Sequence, residues 1–356
     1  MHFEDGHVPE DYLAYIRKKS LWIAGGLFLL VILFVISISV GAVAIPLAEV
    51  LQTLFGQNIS HKWDTIIWNI RLPQALTAVV AGAGLAAAGV AMQSILRNPL
   101  GSPFTLGIAN AGAFGAAFAV IVLGTGQMHS TVANAVTISN PYLTTVMAFI
   151  FCLAATAVIL LISKVKGASP EVMVLTGVAI SSLFTAGTMF LQYFASDAQL
   201  AAVVFWTFGD VSRASWPELA LMAVIVTAGA VFFTANRWNY NAIDAGDETA
   251  KGLGVKVERV RNIGMVVGAL VTAVVVSFLG VIGFVGLVCP HMARRIIGDD
   301  QRYLIPASCV MGCILLLAAD TAARIIVSPY VLPVAVLTAF LGAPVFVYLL
   351  VRGYRR

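Results

Sequence analysis

The chain has 356 residues, 60% hydrophobic and only 11% charged, with 21 Lys and Arg against 17 Asp and Glu; its mean hydropathy is +0.94. Soluble domains are about half apolar and about a quarter charged, so this balance excludes a water-soluble enzyme or a nucleic-acid-binding module and points to one lipid-embedded domain. The net charge of +4 matters less than where the positive charges fall along the chain.

Residues 1–20 are polar and mixed in charge and read as a cytoplasmic N-terminal segment, leaving 21–356 as the membrane domain. The first apolar run, 21–43, is too long for a signal-peptide core, lacks an A-x-A cleavage site, and is expected to remain as a span. Further spans are predicted at 72–95, 104–124, 142–163, 171–194 and 217–235, then 304–327 and 331–351. Between them the run 263–293 is too long for one crossing, because at about 1.5 Å per residue it would reach about 46 Å against a hydrocarbon core of about 30 Å. Folding it back near Gly280–Gly283 gives ten helices with both termini cytoplasmic. All the Lys and Arg except Lys62, Arg71, Arg213 and Arg324 then lie inside, whereas a single crossing divides them almost evenly. The expected fold is therefore all-α, with ten transmembrane helices.

The span at 72–95 carries Gly82, Gly84 and Gly89 among alanines, a pattern that lets helix backbones approach closely or line a passage. Spans two to five hold no charged residue away from their ends. Asp320 is the well-embedded carboxylate, and Arg324, four residues on, can pair with it across one turn. Cys152, Cys289, Cys309 and Cys313 all sit in apolar runs, so neither a disulfide framework nor a metal site is expected. His291, after Pro290, reads as a hydrogen-bonding group at a helix end. No lysine follows a glycine, so the P-loop motif is missing and any ATPase must be a separate subunit. The charged segment at about 240–258 offers such a subunit a place to dock. Asp244, Asp247 and Glu248 precede Lys251, which suits a short helix ended by Gly252 or Gly254. A solvated loop helix with no partner fits the same residues.

Taken in order, the motifs resemble the FecCD family, the permeases of ABC importers for iron-siderophores, haem and vitamin B12. They are Arg71-Leu72-Pro73, Gly82 through Gln93, Arg97-Asn98-Pro99-Leu100-Gly101-Ser102-Pro103, Trp206-Thr207-Phe208-Gly209 and Gly246-Asp247-Glu248 with Leu253-Gly254. Gly283-Phe284-Val285-Gly286-Leu287-Val288-Cys289-Pro290-His291 follows, then Arg294, Gly298, Asp320, Arg324, Leu332-Pro333 and Gly342-Ala343-Pro344. The resemblance covers about Pro46 to Phe346.

It implies a homodimer of ten-helix subunits like the vitamin B12 importer permease, in the cytoplasmic (inner) membrane of a bacterium or archaeon. Two ATP-binding-cassette subunits would carry ATP and Mg, this chain would bind no cofactor, and an extracytoplasmic substrate-binding protein would deliver the cargo. By resemblance, Asp244, Gly246, Asp247, Glu248, Ala250, Leu253 and Gly254 belong to the ATPase-coupling element. Arg71 and Arg324 dock the binding protein, and Asn98, Pro99 and Leu100 close the cytoplasmic end of a path along Gly82, Gly84, Gly89 and Gln93. Pro290, His291, Arg294 and Asp320 belong to the structural motifs. The chain departs from the family at Gln74, where many members have a second arginine, at Pro170-Glu171, where a second gate has small hydroxyl residues, and at Ser328-Pro329-Tyr330-Val331. An ion-coupled carrier using Asp320, and a scaffold or sensor that moves no solute, are the alternatives. The residues do not name the cargo; an iron chelate or corrinoid is expected.

Overall fold

A computed structural model describes residues 10–41, 43–57, 60–128, 136–138, 140–166, 169–327 and 330–353. Ser328-Pro329 lies outside them. The order along the chain is α1 (Glu10–Ser39), α2 (Leu47–Leu54), α3 (His61–Ile66), a π-helical turn (Ile67–Arg71), α4 (Leu72–Ile95) and α5 (Ile108–Ile121). Two short strands, β1 (Gly126–Met128) and β2 (Val136–Ile138), pair antiparallel and are the one departure from helix among the described residues. Then come α6 (Pro141–Val165), α7 (Pro170–Tyr193), α8 (Asp197–Thr207), α9 (Trp216–Ala235), α10 (Arg237–Asp244) and α11 (Asp247–Gly252). The chain finishes with α12 (Val257–Leu279), α13 (Val285–Ile297), α14 (Gln301–Ala323) and α15 (Val334–Gly353).

Seven of these segments are long and apolar enough to cross a membrane, and two shorter apolar helices, Ile108–Ile121 and Val334–Tyr348, accompany them. The helix starts follow from local chemistry. Asn140 and Ser169 accept the backbone N–H groups of Leu143 and Val172, and a proline with its fixed φ follows each cap. Pro73 lacks an N–H, so the Asn69 carbonyl loses its i+4 donor; the π turn is the local adjustment, and it ends on Arg71. The first helix begins at Glu10, well before the apolar run, so part of the segment read as a polar N-terminal extension is helical.

The long run 263–293 is broken at Gly280 (φ 82°) and Phe284 (φ 66°). Arg261 meets Ile95, and Gly84 faces Val271, so α12 runs antiparallel to α4. Gly286 faces Leu85 and Gly89, and Arg294 meets Gln93, so α13 runs parallel to it. The run therefore doubles back, as the charge distribution predicts. Phe284 lies against Gly342 and His291 against Phe346, which makes α15 parallel to α13. Both described chain ends thus reach the end of the molecule that holds α10 and α11.

Helix α4 is the axis of the core, almost wholly buried against α9, α12, α13 and α14. Its glycines make this possible. A Cβ on Gly82 would collide with the Gly312 carbonyl, one on Gly312 with the Gly82 carbonyl, and one on Gly89 with the Gly286 carbonyl. Pro290 explains the last contact: it cannot donate to Gly286, so that carbonyl is free of the helix ladder and the Gly89 Cα hydrogen points at it. Such backbone proximity replaces hydrophobic burial as the driving force where the solvent is itself hydrocarbon. In a second layer α5, α6 and α7 pack around Phe114, Phe118, Phe151 and Phe184, with Phe114 and Phe151 edge-to-face at 4.9 Å, and α8 meets α5 through Ala202 and Val203. Helix α7 leaves most of its surface exposed.

Candidate functional site

The charged segment folds into two short helices, α10 and α11, with Gly246 at φ 118° making the corner between them and Gly254 at φ 83° ending the second. These backbone angles are what place glycine at both positions. The element presents one face outward: Glu248 is 90% exposed and pairs with Lys251 at 2.9 Å, Leu253 is 70% exposed, and Gly252 has open space around it. The ion pair raises the Lys251 pKa, by hydrogen bonding and by charge.

The opposite face is fastened to the membrane helices. Asp244 is largely buried and accepts from Gln301 Nε2 of α14 at 2.8 Å and from Ser94 Oγ of α4 at 3.1 Å. Burial raises its pKa above the ordinary carboxylate range, against the pull of those two hydrogen bonds. The Gln301 amide also donates to Ser94 Oγ at 2.7 Å, and its backbone N–H donates to Asn241 of α10 at 2.8 Å. Asn241 in turn reaches Asp300. Burial alone would raise the Asp300 pKa, but the hydrogen bonds from Arg302 and Asn241 hold it below the usual value. In α11, Asp247 receives both oxygens' worth of bonding from Arg261 Nη2, at 3.0 Å each, while Arg261 Nε donates to the Ile95 carbonyl at 2.7 Å. Arg261 is 2% exposed, so a buried guanidinium of α12 clamps α11 to the end of α4. Ala250 is buried beneath the same helix. Of the residues assigned by resemblance to the coupling element, Asp244, Asp247 and Ala250 face the protein, and Glu248 and Leu253 face out.

Beyond α4, Asn98 Oδ1 accepts the Leu100 N–H at 2.9 Å, making a tight turn after Arg97 (φ 45°) that leaves Leu100 exposed. The expected path residues behind it are engaged in contacts within the subunit. Gly82, Gly84 and Gly89 are occupied by helix contacts, and Gln93, 2% exposed, bridges the Leu287 carbonyl (3.3 Å) and Arg294 (3.2 Å). Small residues were ambiguous between passage and packing, and in this subunit the packing takes all of them. At 169–171 the Ser169 hydroxyl is spent on the α7 cap. His291 lies edge-on to Phe346 at 6.1 Å, and Arg294 forms an ion pair with Asp299 at 2.9 Å.

At the far end of α4 and α14, Asp320 pairs with Arg324 at 2.9 Å, as their spacing predicts, and accepts from Gln74 Nε2 at 2.8 Å. Gln74 thus partners the buried acid at the position where the resemblance leads one to expect arginine. Arg71 and Arg324 share this end but do not stand free for docking: they are 5% and 8% exposed. Arg71 donates to the carbonyls of Ile38, Ser39 and Val43, and Arg324 to those of Ser37 and Val40 and to Ser37 Oγ. The carbonyls at and just beyond the C-terminal end of α1, which lack helical donors, attract cations, and both guanidinium groups turn inward to them. At the same end Trp206-Thr207-Phe208-Gly209 meets the Gly280 turn: Gly209 abuts Val281, Asp210 N–H donates to Leu279 at 2.9 Å, and Arg213 gathers the carbonyls of Phe205, Trp206 and Phe208.

Sequence reasoning missed Ser94, Asn241, Arg261, Asp300 and Gln301. Arg261 left one signal, a charge set deepest into the start of an apolar helix, after Glu258 and Arg259, with Asp247 as an acid in the preceding short helix; the others are ordinary polar residues that only the fold brings together.

Comparison with known proteins places these features in a group. The model of the FecCD transport family matches residues 29–352. A permease protein of an ABC transporter from Methanocaldococcus jannaschii is 51% identical, with 98% of this chain and 99% of that protein covered. The permease of an Fe(3+)-citrate import system from Bacillus subtilis is 35% identical over 90% of this chain and 92% of its own length. A solved inward-facing structure of a metal-chelate type ABC transporter superposes with a TM-score of 0.79 at 29% identity, covering 93% of this chain and 98% of that one.

Proposed function

The chain belongs to the FecCD transport family, and from that premise we propose that it is the membrane-spanning permease of a binding-protein-dependent ABC importer for a metal chelate. Its relatives include a ferric citrate permease and a metal-chelate transporter structure, which favours an iron chelate or corrinoid as cargo. In this reading the seven long spans and the two shorter apolar helices would be joined by α13 to make ten crossings. The charge distribution puts the α10–α11 end and both termini in the cytoplasm.

One observation carries the mechanism: α10 and α11 present Glu248, Lys251 and Leu253 outward while their inner faces are fastened to three different helices. An ATPase subunit seated on the outer face would move the element as it closes on ATP and Mg. Arg261 passes that displacement to α12 and to the end of α4, and the Asp244–Ser94–Gln301 cluster passes it to α4 and α14. Because Gly82 and Gly312 lock α4 to α14, the pair moves as one body and carries the shift to the Gln74–Asp320–Arg324 end, which faces the exterior. Interfaces packed this closely switch between arrangements instead of deforming continuously. The binding protein would dock there, where Lys62 is exposed, and the inward-turned Arg71 and Arg324 would hold the end of α1 in place. The exposed face of α7 is the natural contact for a second copy across the path. Asp320 is held by both Arg324 and Gln74, which favours a structural acid over the proton site that an ion-coupled carrier needs.

The test is uptake in proteoliposomes containing this chain, its ATPase and its binding protein, with Glu248→Lys compared to wild type. The variant alters only an exposed side chain and should fold normally yet lose ATPase assembly and uptake. Wild-type uptake by the variant would sink the coupling assignment.

A further inference from the structure

At the α10–α11 end of the molecule a pocket of about 430 Å³ opens between α9 and α12. Lys256 stands at the start of α12, and Arg259 and Ile263 follow at three- and four-residue steps, so the three share the helix face that lines the pocket. Ile263 is 39% exposed. Phe232, one turn before the end of α9, lines the α9 side. Asn236 and Asn239 line the junction of α9 with α10. Asn236 Nδ2 donates to the Phe232 carbonyl at 2.9 Å and Asn239 Nδ2 to Asn236 Oδ1 at 3.0 Å, and each amide nitrogen keeps a second hydrogen. The Lys256 and Arg259 side chains are exposed, and among the described residues neither makes a hydrogen bond or an ion pair. The acids of the same segment are engaged elsewhere, Glu248 with Lys251 and Asp247 with Arg261. Glu258 is on another face of α12, outside the lining.

Basic residues at a helix end beside the membrane follow from the orientation bias of positive charge alone. These two go further, because they converge on a concavity whose deeper part is apolar. Arg259 and Ile263 are four residues apart, about 6 Å along the helix axis, so the cations and the apolar contacts are stacked at successive depths. An acidic side chain of a protein partner would satisfy the cations but leave Phe232 and Ile263 bare, since both lie within spans. We propose that the pocket binds an anionic phospholipid, its phosphodiester accepting from Lys256 and Arg259 and the first part of a hydrocarbon chain lying on Phe232 and Ile263. Arginine suits a phosphate because its planar fork donates twice, and a basic pocket between membrane helices suits an anionic headgroup. The occupant would also touch Leu253 and Gly254, the turn that ends α11. The site requires only that the chain is membrane-embedded and is independent of the cargo and of the ATPase.

The test places the photoreactive residue p-benzoylphenylalanine at position 263 of the full-length chain, held in nanodiscs with equal amounts of phosphatidylglycerol and phosphatidylcholine. After irradiation the captured lipid is identified by its mass. Phosphatidylglycerol adducts are expected to exceed phosphatidylcholine adducts at least about fivefold, and Lys256→Gln combined with Arg259→Gln should bring the ratio to about one. Neither substitution removes a bond made within the described residues, so the melting temperature in detergent should stay where it is. Should the double variant fail to fold, the ratio without it decides alone. Equal capture of the two lipids, or an undiminished preference in the double variant, would overturn the proposal. Loss of the preference in inorganic phosphate, but not in chloride of equal ionic strength, would overturn it in favour of a free-anion site. Capture of a second copy of the chain in place of lipid would overturn it in favour of a subunit contact.

Discussion

Replacing Arg261 by methionine should separate ATP hydrolysis from transport. The change removes the clamp that joins α11 to α12 and caps α4. Arg261 donates to both Asp247 oxygens at 3.0 Å and to the Ile95 carbonyl at 2.7 Å. Hydrogen bonds to charged groups contribute about 1.5–3 kcal/mol each, and breaking a fully buried pair costs about 3–5 kcal/mol. The Asp247 side chain is 26% exposed, so water recovers part of its loss, and a net cost of about 2–3 kcal/mol follows. Asp247→Asn keeps a neutral acceptor and should lose about half as much. If the clamp transmits motion, 1.4 kcal/mol of lost coupling is a tenfold fall in uptake per ATP, so Arg261→Met should hydrolyse ATP in the assembled complex yet import at least about tenfold less. Phosphate release and cargo uptake measured on the same proteoliposomes give that ratio. Wild-type uptake per ATP in a folded Arg261→Met complex would refute the transmission route.

Gly89→Ala forces a methyl group into the Gly286 carbonyl and should cost about 1–3 kcal/mol or more by overpacking, read as a lower melting temperature in detergent; no change would mean that the two helices part easily. Asp244 should make stability fall as pH rises. Burial lifts its folded-state pKa above the unfolded value, so the folded chain binds the proton more tightly and is favoured most below about pH 3.9. Asp244→Asn, whose amide oxygen can still accept from Ser94 and Gln301, should therefore melt higher than wild type near neutral pH, with the gap closing in acid; a lower melting point would reverse the sign. Arg324→Met strands Asp320 and should cost about 3–5 kcal/mol, whereas the double change Asp320→Leu with Arg324→Met should recover most of that. Equal destabilisation by both would show that the ion pair is not the source.

The spans were legible because apolar length is a strong signal, and the reversal at Gly280 was legible because one crossing would have scattered the arginines across both sides. The ion pair of Asp320 and Arg324 followed from one helical turn. What sequence could not decide is where a side chain turns once neighbours from distant segments arrive. Gly82 and Gly89 looked equally suited to a passage until Gly312 and Gly286 were found against them. Arg71 and Arg324 read as outward charges because the sequence does not show the α1 carbonyls that take them in. The inner face of α10 and α11 depends on contacts between residues more than a hundred positions apart, such as Ser94 with Asp244 and Ile95 with Arg261.

The most direct test of the importer assignment is cargo uptake into proteoliposomes holding this chain, with ATP or an ion gradient supplied separately and the ATPase and binding protein each left out in turn. Uptake of a metal chelate is expected only when ATP, the ATPase and the binding protein are all present, unaffected by collapsing the gradient. Uptake driven by a proton or sodium gradient without nucleotide would contradict it.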